Sequence, residues 1–210
     1  MAIQFGLPEK PLNIKNSIVI FGGSFNPPHN GHIIIAQLVR ELFKYSDMHI
    51  IPNSTPPHKK VEVSFSKRFL MTKKTFEKIN NIVVSDIENK LGGISYAINT
   101  IKYYENQYNK IFYLVGEDSL LSIDKWYKYE EILKRVTLIV YPRYRTKIKD
   151  KYEQIENTIK YLPHSIYLLD LPLIEISSSL IRQRVKEGKS IYGFVPDSII
   201  DIVKEVYSDR

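Results

Sequence analysis

Cysteine is absent from the 210-residue chain, which excludes disulfides, Cys-ligated zinc, iron–sulfur clusters and cysteine nucleophiles. No apolar run in the sequence approaches the roughly 20 residues that a membrane helix needs. The first residues, 1–16, lack the apolar stretch of a signal peptide. We therefore expect a soluble, cytoplasmic protein that does not bind a membrane.

The composition is that of a globular chain, with 43% apolar, 12% aromatic and 25% charged residues. A chain of this length removes roughly 70% of its surface from water on folding, so its core needs no disulfide or metal. The 30 Lys and Arg residues outnumber the 23 Asp and Glu residues and leave a net charge of +7. That excess suits an anionic partner, either a nucleic acid or a phosphorylated small molecule, but a Lys-rich solvated surface explains it equally well. Because the sequence has no block of like charges and no nucleic-acid-binding module, we expect no nucleic-acid partner.

Short apolar runs alternate along the chain with segments whose apolar residues recur every three to four positions. The runs predict strands at residues 17–21, 48–52, 82–85, 110–116, 136–141 and 165–169. The periodic segments predict helices at residues 31–42, 67–79, 96–104, 152–162, 178–187 and 197–206. Gly188 stands where the glycine that ends a helix belongs.

The alternation of strands and helices indicates βαβ units and a mostly parallel sheet that is covered on both faces. We predict an α/β fold, doubly wound and Rossmann-like, in which the last two helices form a small C-terminal appendage. Residues 1–16 carry two prolines and no periodicity, which predicts an N-terminal arm before a single domain at residues 17–210. In such folds, ligands bind beyond the carboxyl ends of the strands.

The segment GGSFNPPHNGH (residues 22–32) links the first predicted strand to the first predicted helix. It is neither a Walker loop, which ends in Gly-Lys-Ser/Thr, nor the GxGxxG dinucleotide fingerprint. Gly22 and Gly23 let a ligand approach the backbone, and the start of the helix offers N–H groups to a phosphate. His29 and His32 can add two donors for the same anion. A plain turn with two structural histidines is an alternative, and so is a metal-binding pair, although no carboxylate lies nearby to complete a metal site.

HNGH within this segment matches the HxGH signature of the nucleotidyltransferases, and the whole segment resembles the first motif of bacterial nicotinate-nucleotide adenylyltransferases. Five further segments resemble motifs of that family, in the same order and at similar spacing. They are IPNSTPPHKK (51–60), SKRFLM (66–71), SDIENKLGGISYAINTI (85–101), LVGEDSLLSIDKW (114–126) and EISSSLIR (175–182). The resemblance covers about residues 17–206, which is nearly the whole chain.

The resemblance implies transfer of AMP from ATP to the 5′-phosphate of nicotinate mononucleotide, giving deamido-NAD and pyrophosphate in a step of NAD biosynthesis. The attacking phosphate is already an anion, so the reaction needs positioning and charge stabilisation rather than a side-chain nucleophile. ATP and nicotinate mononucleotide are then the expected partners. Mg²⁺ is the expected cofactor, held mainly by ATP oxygens and water rather than by protein ligands. The sequence leaves open whether the chain forms a homo-oligomer.

The resemblance also implies roles for individual residues. His29 and His32 would be catalytic donors, and catalytic Arg182 would hold the β- and γ-phosphates as a planar fork. The residues expected to bind ATP are Gly22, Gly23, Ser24, Phe25, Gly116, Asp118, Ser178 and Ser179. The residues expected to bind nicotinate mononucleotide are Lys59, Tyr96, Ala97 and Trp126.

The resemblance also implies particular contacts between these residues and the substrates. Asp118 would accept hydrogen bonds from ribose hydroxyls, and Trp126, the only tryptophan, would stack on the nicotinate ring. Main-chain N–H groups at Tyr96 and Ala97 would meet the pyridine carboxylate; Ala97 replaces the family's usual threonine, so no side-chain contribution is expected there. Structural alternatives stay open, since Asp118 can be a plain loop residue, Trp126 a core residue, and the serines before Arg182 an ordinary helix cap.

Other functions are also compatible with parts of the sequence. An adenylyltransferase that uses nicotinamide mononucleotide, or both mononucleotides, would share these motifs. A phosphopantetheine adenylyltransferase typically has Thr in place of the first His of HxGH, is shorter, and lacks the Gly-x-Asp…Trp unit. A non-catalytic nucleotide-binding module or a basic RNA-binding protein would not need donors on both sides of a phosphate, as His29, His32, Ser178 and Arg182 offer.

Overall fold

A computed structural model of the chain describes residues 3–5, 12–13, 15–45, 47–57, 61–143 and 166–208. The strands in these ranges are β1 (Ile3–Phe5), β2 (Leu12–Asn13), β3 (Ser17–Gly23), β4 (Phe43–Lys44), β5 (Asp47–Pro52), β6 (Ile82–Val84), β7 (Lys110–Gly116), β8 (Thr137–Tyr141) and β9 (Ile166–Leu168). The helices are α1 (Asn30–Leu42), α2 (Phe65–Phe76), α3 (Ile87–Leu91), α4 (Ala97–Glu105), α5 (Glu117–Leu120), α6 (Tyr129–Arg135), α7 (Ser178–Lys186) and α8 (Ile200–Tyr207). Within the described ranges, every helix is too short or too polar to cross a bilayer.

The chain divides into two compact units. The first unit comprises Met1–Gly22, Arg40–Met48 and Tyr96–Ile174. The second unit comprises Gly23–Val39, His49–Ser95 and Glu175–Arg210. The expected division into an arm (1–16) and one domain (17–210) stays a prediction.

The strands of the first unit pair in parallel in the order β1-β9-β8-β7-β3. β3 runs beside β7 with Ser17 opposite Lys110, and β7 runs beside β8 with Gly116 opposite Tyr141. The carboxyl ends of these strands therefore lie at one edge of the sheet. β1 lies within residues 1–16, where the sequence predicts only an arm. The strand was not predictable, because its hydrogen-bond partner β9 is remote in sequence and three residues leave no local pattern.

The inner strands of this sheet are buried on both faces, which explains why they read as continuous apolar runs. Ile18, Val19 and Ile20 of β3 have no solvent exposure. α4 packs against β7 and α6, and its buried face includes Ile98 and Ile101, the two residues that the sequence predicts to point inward.

Helices α2, α7 and α8 belong to the second unit and share one hydrophobic core. α2 begins after Ser64, whose side-chain oxygen accepts a hydrogen bond from the Lys67 N–H at 3.4 Å, and so starts before the predicted residue 67 and ends at Phe76. The buried core residues are Val63, Met71, Ile181, Val185, Ile191, Val195, Ile199, Ile200, Val203, Val206 and Tyr207. The helices predicted as a C-terminal appendage are therefore part of the core of this unit.

The C-terminal helices also end and begin close to the predicted positions. After α7, Gly188 has a φ of +65°, and the Lys189 N–H donates to the Arg184 carbonyl at 2.8 Å, which confirms the predicted helix-ending glycine. The helix predicted from residue 197 starts as a 3₁₀ turn at Asp197–Ile199 and continues as α8. The predicted helix at 152–162 lies outside the described residues.

Candidate active site

In the second unit, two histidines lie ring to ring where the loop that follows β3 runs into the first turn of α1. His29 precedes the helix and His32 belongs to its first turn; we call residues 24–32 the histidine loop. The rings of His29 and His32 stack with their centroids 3.7 Å apart and an angle of 26° between their planes. The ring of Phe25 also packs against His32, with 4.9 Å between centroids. His29 is buried and His32 is partly exposed, so His32 is held by two rings and still reaches the surface.

One main-chain hydrogen bond indicates which ring nitrogen of a neutral His32 carries the proton. The His29 N–H donates to Nδ1 of His32 at 3.1 Å. Nδ1 can accept this bond only without a proton, so a neutral His32 carries its proton on Nε2. His32 therefore offers an Nε2–H donor, which suits a phosphate oxygen.

The first N–H groups of α1 are partly engaged within the protein. The Asn30 N–H donates to the Phe194 carbonyl at 2.9 Å, and the His32 N–H donates to the His29 carbonyl at 2.9 Å. The expectation that this helix start offers free N–H groups to a phosphate is therefore wrong for Asn30 and His32.

Helix α7 contacts the same loop through two of the predicted site residues. The Ser178 hydroxyl donates to the Pro27 carbonyl at 2.7 Å. The Arg182 guanidinium donates from one terminal nitrogen to the Asn26 carbonyl at 2.6 Å and from the other to Ser179 Oγ at 3.1 Å. Arg182 thus faces the loop that carries the histidines.

The start of α7 is set by a serine cap. Ser177 accepts a hydrogen bond from the Leu180 N–H at 3.2 Å, so the helix begins at Ser178 as predicted. Around one loop, the second unit brings together the predicted site residues Gly23, Ser24, Phe25, His29, His32, Ser178, Ser179 and Arg182.

The loop is tight at its beginning. Phe25 has a φ of +45°, in the left-handed region that bulky residues rarely adopt. A β-carbon on Gly23 would lie 3.3 Å from the Phe25 ring, so a larger residue there would push the ring that supports His32. Gly22 belongs to the first unit, where a β-carbon would lie 2.9 Å from the Tyr113 hydroxyl.

Two further residues contact this loop and have no role in the sequence analysis. Arg68 of α2 is 1% exposed and donates to the Ser24 carbonyl at 2.9 Å. The Tyr207 hydroxyl of α8 donates to Asn26 Oδ1 at 2.5 Å. A signal for Arg68 was present, because residues 68, 71, 72 and 75 share one buried helix face on which a charged residue is unusual.

In the first unit, three of the predicted nicotinate-binding residues, Tyr96, Ala97 and Trp126, lie near the ring of Tyr127. The rings of Tyr96 and Tyr127 are 4.4 Å apart between centroids, and Trp126 is the neighbour of Tyr127 in the chain. Trp126 is partly exposed and packs edge-on against Tyr113 at 6.1 Å. Ala97 begins α4, and the Tyr96 side chain makes no capping hydrogen bond to this helix.

Gly116 and Asp118 stand at the carboxyl end of β7, also in the first unit. A β-carbon on Gly116 would overlap the Asp118 carboxylate, so any larger residue at position 116 would displace that carboxylate. Arg143 Nε lies 3.7 Å from Asp118 Oδ1, and the Asp118 side chain is 48% exposed. Buried Glu117 instead accepts a hydrogen bond from the Arg143 N–H at 3.2 Å.

The remaining predicted contacts concern a lysine and a metal ion. Lys59 lies outside the described residues. In the part of the chain that the structure describes, no group of three or more His, Asp or Glu residues could hold a metal ion. The donors around the histidine loop are imidazole, hydroxyl and guanidinium groups, which suit phosphate oxygens rather than Mg²⁺.

The fold resembles solved structures of adenylyltransferases. One is the structure titled "Plasmodium falciparum nicotinic acid mononucleotide adenylyltransferase complexed with NaAD", with a TM-score of 0.76 and 20% sequence identity. The match covers 92% of this chain and 98% of that one. The likeness shows the fold alone, and it confirms the predicted Rossmann-like α/β class with helices at its C-terminus.

Sequence comparison gives the relationship directly. The cytidylyltransferase-like family model matches residues 20–184. A protein of Thermosipho melanesiensis named "Probable nicotinate-nucleotide adenylyltransferase" is 59% identical over 199 residues, covering 95% of this chain and 100% of the relative. A protein of Thermotoga maritima with the same name is 42% identical over 203 residues, covering 96% and 98%. The chain therefore belongs to the cytidylyltransferase-like family and, within it, to the nicotinate-nucleotide adenylyltransferases.

Proposed function

We propose that this protein transfers AMP from ATP to nicotinate mononucleotide, giving deamido-NAD and pyrophosphate in NAD biosynthesis. An oxygen of the 5′-phosphate of the mononucleotide forms a bond to the α-phosphorus of ATP. The bond from that phosphorus to the oxygen bridging to the β-phosphate breaks, and pyrophosphate leaves. The relatives named for this activity match the chain over nearly its whole length and support the proposal.

The observation that carries the proposal is the fixed donor on His32. Its ring is held by His29 and Phe25, and its Nδ1 accepts from the His29 N–H. Nε2–H is therefore oriented before substrate arrives. A donor fixed in this way stabilises charge that develops on the transferring phosphoryl group without a cost of reorganisation.

Arg182 and the serines of α7 are the proposed partners of the β- and γ-phosphates. Arg182 already donates to the Asn26 carbonyl and to Ser179 Oγ, which holds the guanidinium against the histidine loop. A planar guanidinium has five N–H donors, so further donors can meet phosphate oxygens. Mg²⁺, bound to ATP oxygens and water, would supply further charge neutralisation at the phosphates. Lys59 is proposed to contribute positive charge near the acceptor.

The acceptor is proposed to bind in the first unit. Trp126 is partly exposed beside Tyr127, as a ring that stacks on nicotinate requires. The N–H groups where α4 begins, at Tyr96 and Ala97, suit a carboxylate on the pyridine ring. Asp118, half-exposed at the end of β7, is proposed to bind ATP through ribose hydroxyls. A cytoplasmic location is proposed with this biosynthetic role.

The test is pyrophosphate release from ATP by the purified protein with Mg²⁺ present. Nicotinate mononucleotide, nicotinamide mononucleotide and phosphopantetheine are added separately, and the dinucleotide product is identified by mass. We expect pyrophosphate and deamido-NAD in equal amounts with nicotinate mononucleotide. Release that depends on phosphopantetheine, or no release with any acceptor, contradicts the proposal.

A further inference from the structure

Helix α2 carries a guanidinium that is buried among main-chain carbonyl groups. Arg68 is 1% exposed. Its Nε donates to the Val63 carbonyl at 3.1 Å. Its terminal nitrogens donate to the carbonyls of Ser24 at 2.9 Å, Asn53 at 2.7 Å and Ser54 at 3.1 Å. One side chain therefore satisfies four carbonyl groups that belong to separate segments of the second unit.

Three of these carbonyls lie directly beyond the carboxyl ends of two strands. Ser24 follows β3, and Asn53 and Ser54 follow β5. The Asn53 N–H donates to the Gly23 carbonyl at 2.8 Å, which joins the two loops by a direct main-chain bond. Arg68 binds the carbonyls that come next along each loop, those of Ser24 and Asn53. It therefore links the two loops beyond the ends of their strands.

We infer that Arg68 is a positioning residue for adenylyl transfer. It holds the loop that bears His29 and His32 in register with the loop that follows β5. The inference rests on the proposed function, because the positioned groups are those of the proposed reaction. Arg68 acts through main-chain groups and needs no contact with substrate.

A buried carboxylate lies near Arg68. Burial lowers the pKa of Arg68, and Tyr207 and Glu88 offset only part of this effect. Glu88 is 4% exposed, and its two carboxylate oxygens accept from the Asn53 side-chain amide at 3.2 and 3.1 Å. The Asn53 loop is therefore held at its main chain by Arg68 and at its side chain by Glu88.

Lysine cannot replace this arrangement. An ammonium group has three donors at one point, whereas the guanidinium is a rigid planar fork with five. Arg68→Lys keeps the charge but cannot reach carbonyls on both loops and at Val63 together. The variant separates the geometry of the fork from the mere presence of a cation.

A residue that only stabilises the core would affect activity in proportion to lost stability. Met71 provides the matched control, since it lies on the same helix, is completely buried, and belongs to the hydrophobic core of the second unit. Met71→Ala removes core packing and leaves the carbonyls of Ser24, Asn53 and Ser54 with their donors.

The experiment compares Arg68→Lys and Met71→Ala with the wild type at a temperature where circular dichroism shows all of them folded. We expect kcat for pyrophosphate release to fall about tenfold to a hundredfold in Arg68→Lys, because small displacements of catalytic groups are costly, and less than twofold in Met71→Ala. Hydrogen exchange of the Asn53 amide should be at least about tenfold faster in Arg68→Lys only, as its bond to Gly23 opens more often. Equal kinetic losses in the two variants, or unchanged Asn53 exchange in Arg68→Lys, overturn the inference.

A second variant covers the case in which Arg68→Lys does not fold. Glu88→Gln keeps the size of the side chain and removes the charge beside Arg68. Asn53 exchange should then rise and kcat should fall severalfold; no change in either overturns the inference. The exchange measurement needs no substrate. A wild-type protein without pyrophosphate release therefore refutes the proposed function, while Asn53 exchange still tests Arg68.

Discussion

At the scale of single residues, the neighbours of His32 in the chain fix the orientation of its ring. Its ring lies against those of His29 and Phe25, and its Nδ1 is occupied by the His29 N–H. Nε2–H of the neutral imidazole is then a donor in fixed orientation. A fixed donor at a developing charge is worth far more than the same bond in water.

Replacing His32 by alanine tests this role. If His32 stabilises charge in the transition state, His32→Ala should lower kcat by about a hundredfold or more, with a smaller effect on the KM for ATP. Steady-state kinetics of pyrophosphate release measure both constants. His49→Ala, which removes a histidine of β5 outside the predicted site, is the control and should keep kcat within about twofold of the wild type. An unchanged kcat in His32→Ala would leave this histidine a structural residue.

The geometry of Arg182 leads to a prediction about its fork. Arg182→Lys keeps the positive charge but cannot donate to the Asn26 carbonyl, to Ser179 Oγ and to phosphate together, so we expect kcat/KM for ATP to fall about tenfold or more. Arg184→Lys on the same helix is the control, because Arg184 bonds the Ser190 carbonyl and stacks on Phe194 instead. A fully active Arg182→Lys enzyme would show that Arg182 contributes only general positive potential.

Sequence alone predicts the residues of this loop but not the interactions that hold them. The HxGH spacing identifies His29 and His32, since both fall in one short motif. The proton position on His32 depends on a main-chain N–H, and no residue type reveals that bond. Arg68 and Tyr207 bind groups that are distant in sequence, so only the folded chain brings them to the loop.

At the scale of secondary structure elements, helix α8 is connected to the histidine loop by one buried hydrogen bond. Tyr207→Phe removes the hydroxyl that donates to Asn26 Oδ1 and leaves that oxygen buried without this donor. The loss should cost about 1–2 kcal/mol and lower Tm by about 2–8 °C in thermal unfolding. Tyr192→Phe is the control, since Tyr192 is 69% exposed and its Tm should not change. Equal Tm values for wild type and Tyr207→Phe would show that this bond does not stabilise the fold.

Long, regular elements are predictable from the pattern, and short ones are not. β7 has the predicted bounds, because its apolar run is buried from Ile111 onward. α3 and α5 span five and four residues, too few for a helical period to appear in the sequence. β1 needs β9 as its partner, so its signal is not local.

The proposed binding of the acceptor mononucleotide near the start of α4 leads to a prediction about Trp126. Trp126→Ala should lower kcat/KM by about tenfold for both mononucleotides, because a stacking ring is lost for either, and should leave the KM for ATP nearly unchanged. Trp126→Phe, which keeps an aromatic face, is the control and should retain most of the activity. Steady-state kinetics with each mononucleotide give the values. Normal kinetics in Trp126→Ala would make Trp126 a packing residue.

At the scale of the whole molecule, the chain has a net positive charge and the two proposed substrates are anions. Its net charge of +7 suits two phosphorylated substrates as well as it suits a nucleic acid, so charge alone does not choose between them. The choice comes from motifs distributed over most of the chain. Because these motifs extend over most of the chain, the fold class was predictable. The division into two compact units was not, since no linker in the sequence marks it.

We attribute the choice of nicotinate mononucleotide to main-chain N–H groups near Tyr96 and Ala97, which would receive the carboxylate of the pyridine ring. An amide in the same place would turn an NH₂ donor towards at least one N–H, and such a mismatch costs about 1–3 kcal/mol or more. The most direct measurement is kcat/KM for nicotinate and nicotinamide mononucleotides at saturating ATP. We expect kcat/KM to be about tenfold to a few hundredfold or more higher for nicotinate mononucleotide. Equal values for the two substrates would contradict this attribution.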